Sequence, residues 1–188
     1  MVYSFLVQTV TPGPCRLLYS TFFGCEDDNV ASNDSLRSKR KRQLSEVAQQ
    51  VHAEFTFRSS TTGTKYHVDG LSEEQLAAKE MGTFSLPRGC PFKESKVVLW
   101  LTQAKCGYVF IMDPDENRML AESVLSQLVK QIDTNVRKQD EAPSKVLLKV
   151  DRMGAIVHLF LPNGQLQFMN HRVIEQYQKE LDILLAGK

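Results

Sequence analysis

The chain has 188 residues, of which 42% are hydrophobic and 24% are charged, and this is the composition of a folded globular protein. A chain of this length suits one domain with one substantial core. The 23 basic and 22 acidic side chains nearly cancel, leaving a formal net charge of +1. No global field therefore draws the protein to nucleic acid or to an anionic membrane, and any such contact has to be local.

The cysteines and the apolar runs indicate a cytosolic protein. Cys15, Cys25, Cys90 and Cys106 are neither dense nor in CxxC spacing, which is typical of reduced thiols. The opening apolar stretch Val2–Val10 is short and has no basic region before it, so it predicts a strand and not a signal peptide. No apolar run approaches the roughly 20 residues needed to span a bilayer. Any membrane contact is expected to be peripheral.

The first part of the chain predicts a β-hairpin followed by a helix. Val2–Val10 and Cys15–Phe23 are rich in β-branched and aromatic residues, and the turn sequence TPGP separates them. The next regular segment, Lys39–Phe57, carries apolar residues at intervals of three and four, which is typical of a helix. These residues are Leu44, Val47, Ala48, Val51 and Phe55.

Two polar segments lie beside this helix. Residues 25–38 are acidic and without a period, and residues 59–82 contain Gly63, Gly70 and Gly82. The second segment also holds a capping-box sequence at Ser72 that predicts a short helix. We therefore expect one domain over residues 1–188, with loop-rich insertions at 25–38 and 59–82.

Three strands are predicted in the centre of the chain, at Thr83–Leu86, Lys96–Thr102 and Cys106–Met112. The last two are continuous apolar runs, which indicates burial on both faces and helices on both sides of the sheet. The short link between them makes these two strands antiparallel neighbours. Trp100 is either an exposed anchor for a partner protein or a residue of the core. Its apolar neighbours in the sequence favour the core.

The sequence Asp113-Pro114-Asp115-Glu116 predicts the start of a long helix, with Asp113 as its N-cap and proline at the first position. A calcium loop is the alternative, but it needs ligands that alternate over about twelve residues. The apolar face of this helix comprises Leu120, Ala121, Val124, Leu125, Leu128, Ile132 and Val136.

Ser144–Leu161 predicts a third helix, stopped by Pro162-Asn163-Gly164, with a strand at Lys145–Val150 as the alternative for its first part. Asn170 is the expected cap of a fourth helix. The order of elements predicts an α+β fold in which an antiparallel sheet of about five strands lies between helical layers.

No motif in the sequence supports catalysis. The histidines, His52, His67, His158 and His171, are far apart in the sequence and far from the cysteines, so no metal-ligand spacing appears. GxSxG, HExxH and a glycine-rich phosphate loop are all missing from the sequence. We expect a protein that is not an enzyme, with no catalytic residues, no metal and no cofactor.

The most conspicuous local feature is the basic tetrad Lys39, Arg40, Lys41 and Arg42 at the start of the first predicted helix. It fits a solvated helix start, a nuclear-import or polyanion patch, or a phosphoinositide contact. Cations at the positive end of a helix cost a few tenths of a kcal/mol, roughly, so the tetrad does not serve helix stability. We expect it to be solvent-exposed and dispensable for folding.

The third predicted helix carries two apolar faces. The face expected to be buried against the sheet comprises Val146, Val150, Met153, Val157, Phe160 and Leu161. Leu148, Ala155 and Leu159 recur on nearly the opposite side. This second stripe predicts an interface with a large helical partner, and the alternative is that the fourth helix folds back over it.

Four segments, taken in order, resemble the small subunits of adaptor protein complexes, which have a longin-like (SNARE-like) fold. They are Met1–Val10, Cys15–Glu26, Val97–Leu101 and Phe160–Asn170. More specifically, the chain is similar to sigma subunits of the fifth adaptor protein complex, whose family implies protein sorting at late endosomes and lysosomes.

The same resemblance implies the assembly in which such a subunit works. This is a heterotetramer with two large subunits, of zeta and beta type, and one medium subunit of mu type, bound peripherally to endosomal membrane from the cytosol. Neither clathrin nor nucleic acid is expected as a partner. The alternative is a free-standing longin-like regulatory protein, directed to the nucleus by the basic tetrad.

Small subunits of this family also help to bind acidic dileucine sorting signals, through a basic residue on the second strand and an apolar pocket nearby. Arg16 matches the basic position, and the pocket positions fall at Cys106, Tyr108 and Leu128. Tyr108 is larger than the aliphatic residue usual there. The alternative role of Arg16 is an ion pair with an acidic neighbour.

Overall fold

The computed structural model describes residues 1–11, 13–24, 33–61, 79–136 and 142–186. Within these residues five strands form one antiparallel sheet in the order β2-β1-β5-β4-β3, so that β5 is central and β2 and β3 are the edges. The strands are β1 (Val2–Thr9), β2 (Leu17–Phe22), β3 (Glu80–Leu86), β4 (Lys96–Gln103) and β5 (Cys106–Met112). The predicted hairpin and the antiparallel sheet of about five strands are confirmed.

The helices lie on the two faces of this sheet. They are α1 (Asn33–Thr61), α2 (Arg118–Asn135), α3 (Lys145–Leu148), α4 (Val150–Phe160) and α5 (His171–Ala186), with a 3₁₀ turn at Pro162–Gly164. The turn sequence Pro162-Asn163-Gly164 ends the preceding helix as predicted. Asn170 caps α5 as predicted, because its side-chain oxygen accepts a hydrogen bond from Val173 N–H at 2.9 Å.

The sheet separates two hydrophobic clusters, because successive side chains of a strand point to opposite faces. On β5, Tyr108 and Phe110 belong to the first cluster, with residues of α2, α3, α4 and α5. Val109 and Ile111 belong to the second cluster, with residues of α1. Trp100 is fully buried in that second cluster. Helices on both faces and a core position for Trp100 are therefore confirmed.

Helix α1 is longer than predicted, since it begins at Asn33 and ends at Thr61. Parts of both predicted insertions, at 33–38 and 59–61, are therefore helical. No glycine or proline interrupts the chain between these two residues, and Gly63 is the first breaker after them. The remaining loop segments at 25–32 and 62–78, including the helix predicted at Ser72, lie outside the described residues.

Strand β3 is also longer than predicted, because Gly82 belongs to it. Gly82 pairs directly with Trp100 across the β3–β4 ladder. A Cβ atom at Gly82 would lie 2.4 Å from Cζ2 of that indole ring. The glycine permits close packing of the tryptophan and does not end the strand.

The start of α2 differs from the prediction. Its N-cap is Asn117, whose side-chain oxygen accepts a hydrogen bond from Leu120 N–H at 3.1 Å. The carboxylate of Asp113 instead lies 2.8 Å from Nζ of Lys96. Lys96 is only 5% exposed, and a buried ammonium group is costly unless it is paired. This pairing engages Asp113, and the observed cap lies four residues after the predicted one.

The predicted third helix is divided in two. Lys149 has non-helical backbone angles, φ −127° and ψ 39°, and its N–H donates to the carbonyl of Val146 at 3.2 Å. This hydrogen bond joins residues three positions apart, as in a 3₁₀ turn, and it closes the single turn of α3. The chain then starts α4 in a new direction. One helix over 144–161 was wrong, as was the alternative strand at Lys145–Val150. Val150, predicted to be buried, is exposed.

The ion pair between Asp113 and Lys96 generates a prediction on pH. Burial raises the pKa of the Asp113 carboxyl, but the hydrogen bond and charge of Lys96, with the charge of the N-terminal ammonium, lower it, and the net direction is downward. The pair therefore contributes stability above the unfolded pKa of about 3.9. This contribution is lost as the pH falls through the lower, folded pKa.

We expect Asp113→Asn to lower the free energy of unfolding at pH 7 by about 1–3 kcal/mol, because it leaves a buried ammonium group without its main partner. In acid, below the folded pKa, the variant and the wild type should converge. Urea unfolding followed by Trp100 fluorescence at several pH values measures both. Glu94→Gln is the control, since Glu94 is an exposed partner 3.7 Å from the same ammonium group. A loss that persists unchanged in acid would contradict the ion-pair origin.

Candidate interaction surfaces

The predicted cargo pocket is part of the hydrophobic core. Cys106 and Tyr108 of β5 and Leu128 of α2 belong to the first cluster, and each is 0% exposed. The hydroxyl of Tyr108 donates to Oδ1 of Asp133 at 3.2 Å, and Gln103 Nε2 donates to Oδ2 of the same carboxylate at 2.5 Å. The structure thus brings the three predicted positions together in one cluster, where other side chains enclose all of them.

Arg16 lies immediately before β2 with its backbone fixed and its side chain exposed. Its N–H donates to Oγ1 of Thr9 at 3.0 Å, and its carbonyl accepts from Thr9 N–H at 2.9 Å. No carboxylate among the described residues forms an ion pair with it. Arg16 therefore faces solvent, while the apolar residues predicted to act with it are internal.

The predicted partner stripe does not run along one helix. Leu148 lies on α3 and is 76% exposed. Ala155 and Leu159 lie on α4 and are half-buried against the first cluster. The break at Lys149 turns Leu148 away from the other two, so the projection of a single straight helix does not apply.

Three of the large apolar residues that are exposed in the described part of the chain lie at the junction of α3 and α4. Leu147, Leu148 and Val150 are all exposed there, and we name these three residues the α3–α4 apolar surface. Val146, beside them, is completely buried and fixes the short helix to the core. The sequence pattern indicated Leu148 alone, because Leu147 and Val150 join it only once the helix is divided.

Helix α5 packs against α4 through its inner face. The rings of Phe160 and Tyr177 meet edge to face at 5.4 Å between centroids, and Leu181 is buried. The last helix therefore folds back over α4, which was the alternative to a partner stripe. It leaves the α3–α4 apolar surface exposed.

The basic tetrad is divided between solvent and a packed position. Lys41 and Arg42 are exposed, and Arg42 pairs with Glu46 one turn later at 3.7 Å. Lys39 and Arg40 are half-buried, and the guanidinium carbon of Arg40 lies 5.1 Å from the ring centroid of Phe22. Full exposure of all four was wrong. Because α1 starts at Asn33, the tetrad lies inside the helix, where part of each turn faces β2.

A cleft of about 670 Å³ lies between α1 and β2 beside the tetrad. Leu17 and Phe22 of β2 line it, together with Leu36, Arg37, Arg40 and Lys41 of α1. We name these six residues the α1–β2 cleft. The sequence pointed to part of it through the tetrad, but the contribution of the strand and of Arg37 depends on how the helix sits on the sheet.

The described residues offer neither a metal site nor a membrane span. They contain no cluster of three or more His, Cys, Asp or Glu side chains arranged to hold a metal ion. Within the same residues, no helix combines the length and apolar character needed to cross a bilayer.

The division of the tetrad generates a prediction on stability. Arg40→Gln should lower the free energy of unfolding by about 0.5–1 kcal/mol, because it removes a cation from the face of Phe22. The matched double variant Lys41→Gln/Arg42→Gln should change it by less than about 0.5 kcal/mol, as is usual for exposed positions. Equal effects in urea unfolding would show that the contact between Arg40 and Phe22 contributes nothing.

Comparison with known proteins places this chain in a family. The sequence model of the family AP-5 complex subunit sigma-1 matches residues 1–182. AP-5 complex subunit sigma-1 of Homo sapiens is 34% identical over 196 residues, which cover 96% of this chain and 96% of that protein. The protein of the same description from Mus musculus is 33% identical over 144 residues, covering 69% of this chain and 85% of that protein.

Among known structures, a chain from a homology model of the full-length AP-3 complex in a stretched open conformation has the same fold. Its TM-score is 0.53, covering 100% of this chain and 95% of that chain, at 11% sequence identity, so the likeness is one of fold alone. It confirms the longin-like α+β fold. The resemblance inferred from the four sequence segments is confirmed by the family match, and the chain belongs to the family of AP-5 complex subunit sigma-1.

Proposed function

We propose that this protein is a non-catalytic small subunit of a heterotetrameric adaptor complex that sorts proteins at endosomal and lysosomal membranes. The observation that carries the proposal is the family match over residues 1–182, to relatives described as subunits of a complex. The proposed partners are two large subunits, of zeta and beta type, and one medium subunit of mu type. The proposed location is cytosolic and peripheral on late endosomes and lysosomes, through the assembled complex.

The α3–α4 apolar surface supports an obligate partner. Contact with water does not stabilise its apolar side chains, Leu147, Leu148 and Val150. If a partner covered them, each would contribute roughly 1–2 kcal/mol to the free energy of binding, at the usual value for buried apolar area. A large helical subunit has the surface to do so. We propose Leu148 as the centre of this interface, while Ala155 and Leu159, already half-buried, contribute less.

The alternative of a free-standing nuclear regulator depended on the basic tetrad. Arg40 lies over Phe22, so one of its four cations is engaged in the domain's own packing. An address signal needs its side chains accessible to a receptor. The structure therefore lends that alternative less support than the sequence did.

The interface proposal predicts lost assembly with retained folding. Leu147→Gln/Leu148→Gln should reduce the recovery of large subunits about tenfold or more in co-expression pull-downs, since central apolar contacts dominate binding energy. Its melting temperature should match that of the wild type, because both side chains are exposed. Met119→Gln, exposed at the start of α2, is the matched control. Undiminished assembly of the double variant would exclude this surface.

We also propose that Arg16 contacts the acidic part of dileucine-type sorting signals. Its side chain faces solvent beside β2, which supports a role in binding a carboxylate. The leucine side chains of such a signal would have to enter at Cys106, Tyr108 and Leu128, which have no accessible surface in this structure. Binding at that place therefore requires the strand β5 and the helix α2 to separate locally.

Arg16→Ala should weaken the binding of an acidic dileucine peptide to the assembled complex by about tenfold or more, the effect of losing one charge-assisted hydrogen bond. The fold should not change, because the backbone of Arg16, and not its side chain, is bonded to Thr9. Fluorescence anisotropy measures the affinity, and Arg118→Ala, exposed at the start of α2, is the control. Equal affinities would remove Arg16 from the signal-binding site.

A further inference from the structure

The α1–β2 cleft lies where the helical cover of the sheet ends. One helix, α1, packs on this face in the described part of the chain, and its residues form the second cluster with β1, β3, β4 and β5. Five strands spaced by about 4.8 Å span about 19 Å between the outermost strands. One helix is only about 10 Å wide. The edge strand β2 is therefore left partly uncovered, and Phe22 is packed only partly against the cluster.

The charge of the cleft is of one sign. Arg37, Arg40 and Lys41 line it, and none of the described residues that line it is acidic. Arg37 and Lys41 are exposed. Arg40 is held over the ring of Phe22 at 5.1 Å, which directs its guanidinium along the strand side of the cleft. Glu46, a carboxylate further along the same helix, is already paired with Arg42.

Apolar side chains also line the cleft. Leu17 and Phe22 come from β2, and Leu36 comes from the first turn of α1. Leu17 is 36% exposed, although it is a large aliphatic residue on a strand. The cleft therefore combines cations that bind carboxylates with an apolar surface that binds an aliphatic or aromatic side chain.

We propose that the α1–β2 cleft binds a partner protein's peptide segment in which acidic residues flank a leucine, isoleucine or phenylalanine side chain. The apolar side chain lies on Leu17 and Phe22, and the carboxylates pair with Arg37 and Lys41. This site lies on the α1 face of the sheet, opposite the cluster that contains Tyr108 and Leu128. It is therefore separate from the signal-binding position proposed for Arg16.

The observations favour a peptide over a lipid headgroup. A phosphoinositide headgroup carries only phosphates and hydroxyls, so it would leave Leu17, Phe22 and Leu36 unmatched. Membrane surfaces are contacted by projecting cations or apolar faces. Here the cations line a concave cleft between a helix and a strand. An acidic and apolar peptide satisfies both properties of the cleft at once.

A displayed library of random peptides, selected against the full chain, tests the proposal whatever the identity of the partner protein. The enriched sequences should contain Asp or Glu beside Leu, Ile or Phe. A synthetic peptide of the consensus should lose about tenfold or more in affinity when its acids are changed to the corresponding amides. No enrichment, or full binding by the amide peptide, would overturn the proposal.

Protein variants place the peptide in the cleft. Arg37→Glu/Lys41→Glu should abolish binding of the consensus peptide, because it replaces the cations that pair with the peptide's carboxylates. Leu17→Ser should weaken binding about tenfold, because it removes part of the apolar surface that contacts the peptide's apolar side chain. Arg118→Glu/Lys130→Glu reverses the same number of exposed charges on α2 and should bind normally. Equal loss in the α2 control would show a non-specific charge effect and overturn the site.

Binding to vesicles of phosphatidylcholine, with and without phosphatidylinositol phosphates, tests whether the cleft binds a lipid headgroup instead. We expect that neither vesicle binds the full chain in a manner that depends on Arg37 and Lys41. Phosphoinositide-dependent binding that the double variant abolishes, without enrichment of acidic peptides, would overturn the proposal in favour of a lipid site.

Discussion

Burial of β5 on both faces is the constraint on which the rest of the structure depends. Every residue of β5, Cys106–Met112, and of its neighbour β1 is buried, and its other neighbour, β4, has one partly exposed residue, Gln103. A strand that shows apolar side chains in both directions is stable only if helices cover both faces of its sheet. The two hydrophobic clusters, and the positions of the helices around them, follow from this requirement.

The helices cover the two faces of the sheet unequally, and this difference decides which surfaces remain accessible to other molecules. The face that carries Tyr108 is covered by α2, α4 and α5, with the short α3 near its edge. The opposite face has α1 alone in the described part of the chain. Phe22 on one edge strand and Phe84 on the other are consequently only half-buried on that face. Partly exposed apolar side chains thus remain at both sheet edges beside α1.

Two buried polar side chains have fixed partners that shape these borders. Lys96 is held by Asp113, which delays the start of α2, and Tyr108 is held by Asp133. Such pairing is needed because an unpaired polar group in a core costs more than the hydrogen bond contributes. The Tyr108 pair also closes the region where the sequence resemblance predicted an apolar pocket. Access to that region therefore requires a polar contact to break as well as apolar packing.

The sequence by itself determined the elements whose pattern repeats. The runs Lys96–Thr102 and Cys106–Met112 were recognisable as strands because they are short, continuously apolar and rich in β-branched and aromatic side chains. The segment from Leu44 to Phe55 was recognisable as a helix because its apolar residues recur at intervals of three and four. Four ordered segments were enough to indicate the family that full-length comparison then showed. The basic tetrad and Leu148 were visible as candidates for contact.

Only the tertiary structure decided where those elements end and which side chains remain accessible. Gly82 continues a strand because Trp100 lies on it, Lys149 divides a helix that periodicity alone would continue, and Asp113 pairs with a distant lysine instead of capping. Each outcome depends on a residue far away in the sequence or on how a helix meets the sheet. The α1–β2 cleft depends on the same kind of contact. A local sequence pattern indicates which secondary structure a segment prefers. The contacts of that segment are set by the packing of the whole domain.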